Sequence, residues 1–207
     1  MPQITKLKAQ KNAKRANLYV DNQFIVGLSL DLVVKRGLAV GQSLSNKQLD
    51  KLLTRTLLEK LYNQALNFLS FRPRSPQEVK RFLIKKTQAG PEFKKVIDLV
   101  LTKLDQRGLV DQSAFAQWWL EQRLRFRPKG KLALKQELRQ KGIEPQIIDQ
   151  VLAEVDEVQT IRDFYVQKLA KKSSLISQPK KLIAYLQRRG FSWSAIKTCV
   201  DEWGKKE

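Results

Sequence analysis

The chain carries a repeated motif made of a leucine, any two residues, a basic residue and a glycine. It occurs as Leu138–Gly142 and Leu186–Gly190, and Leu83–Lys86 is a degenerate copy that lacks the glycine. Apolar residues recur four positions before the leucine and ten, fourteen and seventeen positions after it. They are Leu134, Ile148, Leu152 and Val155 in one copy, and Leu182, Ile196, Val200 and Trp203 in the other. One structural unit is therefore repeated along the chain.

The spacing of the apolar residues predicts two amphipathic helices in each copy. The glycine fits the left-handed position that ends a helix, and Ile143 or Phe191 after it can pack back. A third amphipathic helix is predicted before each pair, at about 57–70, 113–125 and 157–171. Three helices of this size enclose a thin core, so neighbouring copies are expected to stack.

The first sixty residues follow a different pattern. Leu18 and Val20 alternate with polar residues up to Asp21-Asn22, and Phe24, Val26 and Leu28 alternate after this pair. This pattern predicts a β-hairpin. Ser45 and Gln48 form a predicted capping box at the start of a following helix. The residues before the hairpin are polar and basic, and we expect them to be flexible until an anionic partner binds.

The predicted fold class is therefore mainly α. Tandem three-helix modules should form an elongated, curved array, with a small N-terminal β-containing element. The expected parts are a basic tail at 1–15, a β-hairpin and connecting helix at 16–56, and modules at 57–111, 112–156 and 157–207.

The charge of the chain indicates a polyanionic partner. Forty Lys and Arg residues stand against twenty Asp and Glu residues, which gives a formal net charge of +20. Solubility requires far less charge than this. A modular basic chain suits a long anionic track such as a nucleic acid. Binding to a membrane surface is a weaker alternative, because no long basic helix with an exposed aromatic face is evident.

Residues for catalysis are scarce in this sequence. There is no histidine, there is one cysteine, and no phosphate-binding loop of the GxxxxGK[ST] type occurs. The nearest acidic groups for a nuclease are Asp105 with Asp111, or Glu154 with Asp156 and Glu157, and the second group is more simply interpreted as solvated acids at a helix junction. We therefore expect no enzymatic activity, no metal and no cofactor.

The sequence also favours a cytoplasmic protein. No stretch approaches the roughly 18 apolar residues of a membrane-spanning helix, and no apolar core of a signal peptide follows the basic N-terminus. Cys199 lies on the apolar side of the last predicted helix, so we expect a packed thiol.

Two groups of residues are candidates for contacts with a partner. Trp118 and Trp119 are adjacent, and they either stack on bases or pack between modules. Basic side chains in loops and beside helix starts can meet phosphate or carboxylate groups. The predicted contact residues are Arg72, Arg74, Lys80, Lys85, Lys86, Arg127, Lys129, Lys131, Arg188 and Arg189.

Three sets of motifs resemble, in order and spacing, the modules of the RecX family of recombinase regulators. The first set is Arg72-Pro73-Arg74-Ser75 with Glu78 and Leu83. The second is Gly108-Leu109-Val110-Asp111 with Phe115, Arg123, Lys129-Gly130, Glu137-Leu138 and Lys141-Gly142-Ile143. The third is Lys181-Leu182, Tyr185-Leu186, Arg188-Arg189-Gly190-Phe191 and Ile196. The resemblance covers residues 61 to 203.

This resemblance implies a non-enzymatic protein of DNA repair, homologous recombination and the SOS response. Such a protein binds the groove of a RecA filament on single-stranded DNA and inhibits its growth, ATPase and strand exchange. We expect a monomer that contacts RecA, single-stranded DNA and also double-stranded DNA. The alternative is a sequence-independent DNA-binding protein that acts through phosphate contacts alone.

Overall fold

The computed structural model describes residues 1–11, 14–87, 93–165 and 178–203. These residues are mainly helical, with a small antiparallel sheet at the N-terminal end, which confirms the predicted mainly α fold with an N-terminal β element. The chain divides into two compact units. The first unit contains Met1–Phe68 and Phe82–Leu104, and the second contains Leu69–Arg81 and Asp105–Glu207.

The sheet of the first unit contains three antiparallel strands in sequential order: β1 (Ile4–Ala9), β2 (Arg15–Val20) and β3 (Gln23–Ser29). Strands β2 and β3 form the predicted hairpin. Its two turn residues, Asp21 and Asn22, have φ angles of 47° and 64°. A two-residue turn with both angles positive matches the twist of a hairpin, and Asp and Asn tolerate this conformation.

The predicted flexible tail at residues 1–15 is wrong, because strand β1 lies within it. The pairing of β1 with β2 shifts register just after Ile4. As a result Ile4 and Leu7 lie opposite Val20 and Leu18 on one face, although three positions separate them. Because of this bulge, the apolar residues of β1 do not alternate strictly with polar ones, and the sequence pattern does not predict a strand here. Ile4 is completely buried in the core of the sheet.

The sheet leads into helices α1 (Leu30–Lys35) and α2 (Asn46–Leu69). The predicted capping box at the start of α2 is confirmed: the Gln48 N–H donates to Ser45 Oγ at 3.3 Å, and the Ser45 N–H donates to Gln48 Oε1 at 2.8 Å. The predicted boundary between residues 56 and 57 lies inside α2, so this helix is shared by the N-terminal element and the first module.

Eight further helices follow in the described part of the chain. They are α3 (Pro76–Thr87), α4 (Lys94–Asp105), α5 (Gln112–Phe126), α6 (Lys131–Gln140), α7 (Pro145–Ala153), α8 (Glu157–Phe164), α9 (Pro179–Arg188) and α10 (Trp193–Trp203). We call α2 to α4 module 1, α5 to α7 module 2, and α8 to α10 module 3. Asp111 and Asp156 cap the first helices of modules 2 and 3. The predicted helix at 157–171 extends into residues outside the described part.

Modules 2 and 3 each have an apolar core. That of module 2 contains Phe115, Leu134, Leu138, Ile148 and Leu152. That of module 3 contains Ile161, Leu182, Leu186, Ile196 and Cys199. The Cys199 thiol is completely buried, as expected, and burial raises its pKa.

Candidate functional site

The glycines of the repeated motif end helices α6 and α9 as the sequence predicts. Gly142 and Gly190 have φ angles of 74° and 82°. The Ile143 and Phe191 N–H groups donate back to the carbonyls of Leu138 and Leu186, at 3.1 and 3.3 Å. These bonds define Schellman caps, and they turn the chain sharply at the glycine.

The cap of α9 packs against the start of α6, and we call this contact the second joint. The Gly130 N–H donates to the Arg189 carbonyl at 3.0 Å, and the Leu132 N–H donates to the Gly190 carbonyl at 3.2 Å. The Arg189 guanidinium also donates to the Pro128 carbonyl at 2.8 Å. The last carbonyls of one helix thus satisfy the first amides of another, which would otherwise lack partners.

The cap of α6 packs in the same way against the start of α3, within the second unit, and we call this contact the first joint. The Ser75 hydroxyl donates to the Lys141 carbonyl at 2.7 Å. The Lys141 ammonium donates to the Glu78 carboxylate, which also accepts two hydrogen bonds from Arg72, at 3.1 and 3.2 Å. The Glu78 N–H donates to Ser75 Oγ at 3.1 Å, as in a capping box. The Glu78 carboxylate binds Arg72 beside it and Lys141 across the joint.

The two joints are equivalent positions of the repeat. The loop of module 1, Arg72 to Ser75, precedes the loop of module 2, Arg127 to Gly130, by 55 residues. The basic residues Lys141 and Arg189 are 48 residues apart, and each contacts one of these two loops, through Ser75 and Pro128 respectively. Within the second unit, the basic residue and the glycine of the motif therefore hold the end of one helix against the loop and helix start of an earlier repeat.

Two carboxylates with several donors stabilise this region. Burial raises the pKa of Glu78, but the hydrogen bonds from Arg72 and Lys141 outweigh it and hold the pKa below its ordinary value. Burial likewise raises the pKa of Glu137, and the hydrogen bonds from Lys129, Arg123 and Trp119 lower it further than burial raises it. Both groups are charged at neutral pH, and each is only 13% to 15% exposed.

The adjacent tryptophans lie beside these carboxylates. Both are half-buried, and both rings lie 5.9 Å from the ring of Phe115. Trp119 Nε1 donates to the Glu137 carboxylate at 2.8 Å, and the Arg72 guanidinium lies 5.4 Å from the centre of the Trp118 ring. These contacts favour packing over base stacking, which were the two interpretations open from the sequence.

Glu157 connects the second joint to module 3. Its carboxylate is 9% exposed and accepts from the Lys131 N–H at 2.7 Å and from the Ser192 N–H at 3.3 Å. It thus stabilises the starts of two helices, whose N-terminal ends favour negative charge. The sequence suggested solvated acids at Glu154, Asp156 and Glu157. For Glu157 that suggestion is wrong, because this carboxylate is buried and accepts hydrogen bonds from these backbone amides.

The structure separates the predicted contact residues into three groups. Arg72, Lys129 and Arg189 have partners inside the second unit, in or beside the joints. Arg74, Lys80 and Lys131 are half-buried, and both burial and the neighbouring Arg72 lower the pKa of Arg74. The side chains that face solvent are Lys85, Lys86, Arg127 and Arg188.

Two exposed phenylalanines were not among the predicted contact residues. Phe71 is 76% exposed and Phe126 is 54% exposed. They occupy the same position of the repeated loop, immediately before an arginine and a proline. The signal was present in the sequence, because an aromatic residue recurs there outside the helical apolar pattern.

The described residues contain no group of three or more side chains suited to hold a metal ion. Among the described helices, none combines the length and the apolar character that crossing a membrane requires.

Known proteins resemble this chain along almost its entire length. The family model described as "RecX, second three-helix domain" matches residues 111–152, and that described as "Regulatory protein RecX N-terminal domain" matches residues 2–45. The chain is 31% identical to regulatory protein RecX of Bacillus pumilus (strain SAFR-032), over 98% of this chain and 78% of that protein. It is also 31% identical to regulatory protein RecX of Bacillus subtilis (strain 168), over 98% of this chain and 77% of that protein.

Two solved structures share the fold. A crystal structure of regulatory protein RecX superposes with a TM-score of 0.72 at 23% identity, over 97% of this chain and 100% of that chain. The crystal structure of RecX from Lactobacillus salivarius superposes with a TM-score of 0.60 at 24% identity, over 70% of this chain and 96% of that chain. At these identities the superpositions show the fold alone.

Proposed function

Because this chain belongs to the RecX family of regulatory proteins, we propose that it regulates the RecA recombinase by binding the filament that RecA forms on single-stranded DNA. Binding there inhibits filament growth, ATP hydrolysis and strand exchange. The observation that carries this proposal is the match to regulatory proteins named RecX over 98% of the chain. The activity is one of binding, without catalysis and without a cofactor.

The joints support a partner whose binding sites are regularly spaced. Backbone hydrogen bonds at Gly130 and Leu132, and the ion pairs of Glu78, hold successive helices at fixed positions within the second unit. Contacts presented at fixed spacing lose little conformational freedom when they bind. A filament of identical subunits offers such spacing, whereas a single compact ligand does not require it.

The exposed cations support a contact with the DNA of the filament. Lys85, Lys86, Arg127 and Arg188 face solvent, and the net charge of +20 favours phosphate contacts on single-stranded and double-stranded DNA. The joint residues Arg72, Lys129 and Arg189 are left out of this contact set, because their groups already serve the fold. The protein is proposed to act as a monomer in the cytoplasm, where RecA filaments form on the chromosome.

The second candidate function is sequence-independent DNA binding through phosphates alone, which the charge also favours. The two candidates predict different dependence on salt and on RecA. Pure phosphate binding weakens by about 0.7 to 0.9 log units per log unit of salt for each neutralised phosphate. A regulator of RecA also binds RecA in the absence of DNA.

The test is the ATPase of the cognate RecA, stimulated by single-stranded DNA, while this protein is added from far below equimolar amounts upward. We expect strong inhibition at substoichiometric amounts, because blocking the growing end of a filament requires few molecules. Inhibition only when the DNA is saturated with protein would contradict the proposal and support the second candidate, because coating DNA consumes protein in proportion to its length.

A further inference from the structure

A groove lies between modules 2 and 3, inside the second unit, with a volume of about 1180 Å³. Its walls come from α5, the end of α7 and α8. The floor consists of the apolar side chains Leu120, Leu124, Val151, Val155 and Phe164, of which Leu124 is half-buried and the other four are buried. Phe126, which is 54% exposed, adds an apolar side chain at the edge. Among the described residues, Leu124 and Phe126 therefore leave apolar surface open to the groove.

The rim of this groove is acidic in a strongly basic chain. Four exposed carboxylates line it, those of Glu121, Glu154, Asp156 and Asp163, and Arg125 is the one cation among the described residues of its lining. Among the residues that the structure describes, none of the four carboxylates forms an ion pair. Other acids of the described chain do pair with cations, namely Asp31, Glu59, Glu78, Glu137, Asp149 and Glu202.

Glu154 occupies a position at which a carboxylate is unfavourable. It is the C-cap residue of α7, where the negative end of the helix dipole disfavours a carboxylate. The chain has twice as many basic as acidic residues, so a cation nearby would be the ordinary arrangement. Of the four rim carboxylates, that of Asp156 caps α8. Those of Glu121, Glu154 and Asp163 stand around the groove where neither a helix cap nor an ion pair with a described residue requires them.

We propose that this groove binds a basic, amphipathic segment of a partner protein. Leucine-like side chains of the segment would pack on Leu124 and Phe126 over the apolar floor, and its lysine or arginine side chains would pair with the four rim carboxylates. The same negative charge repels phosphates, so nucleic acid is excluded from this face. The volume of the groove accommodates several side chains. Its floor is too apolar to bind a small hydrated cation. This inference does not depend on the proposed action on RecA.

The net charge of the protein makes a direct test possible. A cationic peptide is repelled by a chain of charge +20, so it binds only where the local potential is negative. The probe is a short fluorescein-labelled peptide of lysines and leucines at helical spacing, titrated with the full-length protein and followed by fluorescence anisotropy. We expect saturable binding. A second probe with serine in place of leucine should bind at least about tenfold more weakly, because the floor is apolar.

Matched variants locate the binding. Glu121→Gln, Glu154→Gln and Asp163→Asn together neutralise the rim, while Asp156 is retained because it caps α8. The control, Asp50→Asn with Asp105→Asn and Asp201→Asn, makes the same change of charge at exposed positions outside the groove. We expect the rim variant to lose about tenfold or more in affinity for the peptide and the control to stay within about twofold. Circular dichroism verifies that both variants fold.

Three results would overturn the proposal. The first is the absence of peptide binding to the wild-type protein, and the second is an equal loss in both variants. The third is a wild-type dimer, detected by analytical ultracentrifugation, that the peptide dissociates, because a second copy of this chain would then occupy the groove.

Discussion

The backbone N–H of Gly130 donates a hydrogen bond to the carbonyl of Arg189, 3.0 Å away, and so connects the start of α6 to the end of α9. The approach is close because neither backbone carries a bulky side chain at this point. A Cβ added at Gly130 would lie 2.1 Å from the Gly190 carbonyl oxygen, and one added at Gly190 would lie 2.5 Å from the Ala133 nitrogen. The glycine of the repeated motif is thus required for two reasons: it adopts a positive φ angle, and it leaves room for the close approach of the other backbone.

Gly190→Ala should destabilise the protein more than a positive φ angle alone explains. Gly190 has a φ of 82°, and a Cβ added there would lie 2.5 Å from the Ala133 backbone nitrogen. Gly108 has a φ of 63°, and a Cβ added there would have nothing within 4 Å. Both lie in the second unit. We expect Gly108→Ala to cost about 1 kcal/mol through backbone strain and Gly190→Ala to cost about 2 to 4 kcal/mol because overpacking is added. The measurement is the free energy of unfolding in urea, and equal costs would contradict a tight joint.

The Glu137 carboxylate should make the stability of the protein depend on acidity. Its pKa in the folded protein lies below the ordinary value, as its three hydrogen bonds outweigh burial. Its contribution to stability is therefore complete above the pKa of the unfolded chain, about 4.3, and is lost as the pH falls through the lower folded pKa. Glu137→Gln should cost about 1 to 3 kcal/mol at neutral pH, because three donors lose a charged acceptor.

The pH dependence separates this carboxylate from the other acids. Unfolding free energies of the wild type and of Glu137→Gln are compared between neutral pH and about pH 3. The difference between the two proteins should shrink as the solution is acidified. Asp201→Asn, at an exposed position on α10, serves as the control and should follow the wild type throughout. A difference that stays constant down to the lowest pH would show that the Glu137 charge does not stabilise the fold.

The sequence predicted the elements whose signals are local. The hairpin turn at Asp21-Asn22 and the helix ends at Gly142 and Gly190 depend on residues within a few positions of one another, and the structure confirms them. Strand β1 was missed because its bulge places Ile4 and Leu7 on one face at a spacing that strict alternation does not contain. A search for alternating apolar residues within one segment therefore fails for β1, because the faces of its residues are set by its pairing with β2.

The joints could be predicted only in part for the same reason. The spacing of Lys141-Gly142 indicated a helix end, but its contact with Ser75 spans 66 positions and follows from how the modules pack. The degenerate copy is then explained. Lys86 occupies the position of Lys141 and Arg189, but the preceding described residues form a sheet and helix α1, with no further three-helix module to receive it. Lys86 is accordingly exposed, and no glycine is needed after it.

Charge reversal should destabilise the protein at joint positions and leave its stability almost unchanged at exposed positions. From the sequence, these cations form one predicted contact set. In the structure, Arg72 and Lys129 bind the Glu78 and Glu137 carboxylates, whereas Arg127 and Arg188 face solvent. We expect Arg72→Glu with Lys129→Glu to destabilise by about 2 to 5 kcal/mol, because each half-buried carboxylate would face a like charge. We expect Arg127→Glu with Arg188→Glu to change stability by less than about 0.5 kcal/mol.

The exposed pair should instead weaken function. The readout is inhibition of the RecA ATPase on single-stranded DNA, measured beside urea unfolding of the same preparations. Arg127→Glu with Arg188→Glu should require several-fold more protein for the same inhibition. Full inhibition by this folded variant would remove both arginines from the proposed contact set.

Phe71 should contribute to binding without contributing to stability. It is 76% exposed, and its counterpart in the repeat, Phe126, is 54% exposed, so an aromatic side chain is presented to solvent at the same position of both loops. Truncating an exposed ring changes stability by less than about 0.5 kcal/mol, whereas Phe115→Ala, at a 1% exposed core position, should cost about 3 to 5 kcal/mol. We therefore expect Phe71→Ala to unfold like the wild type and to inhibit the RecA ATPase several-fold less effectively. Wild-type inhibition by Phe71→Ala would show that the repeated ring is not a partner contact, and loss of stability would place it in the fold after all.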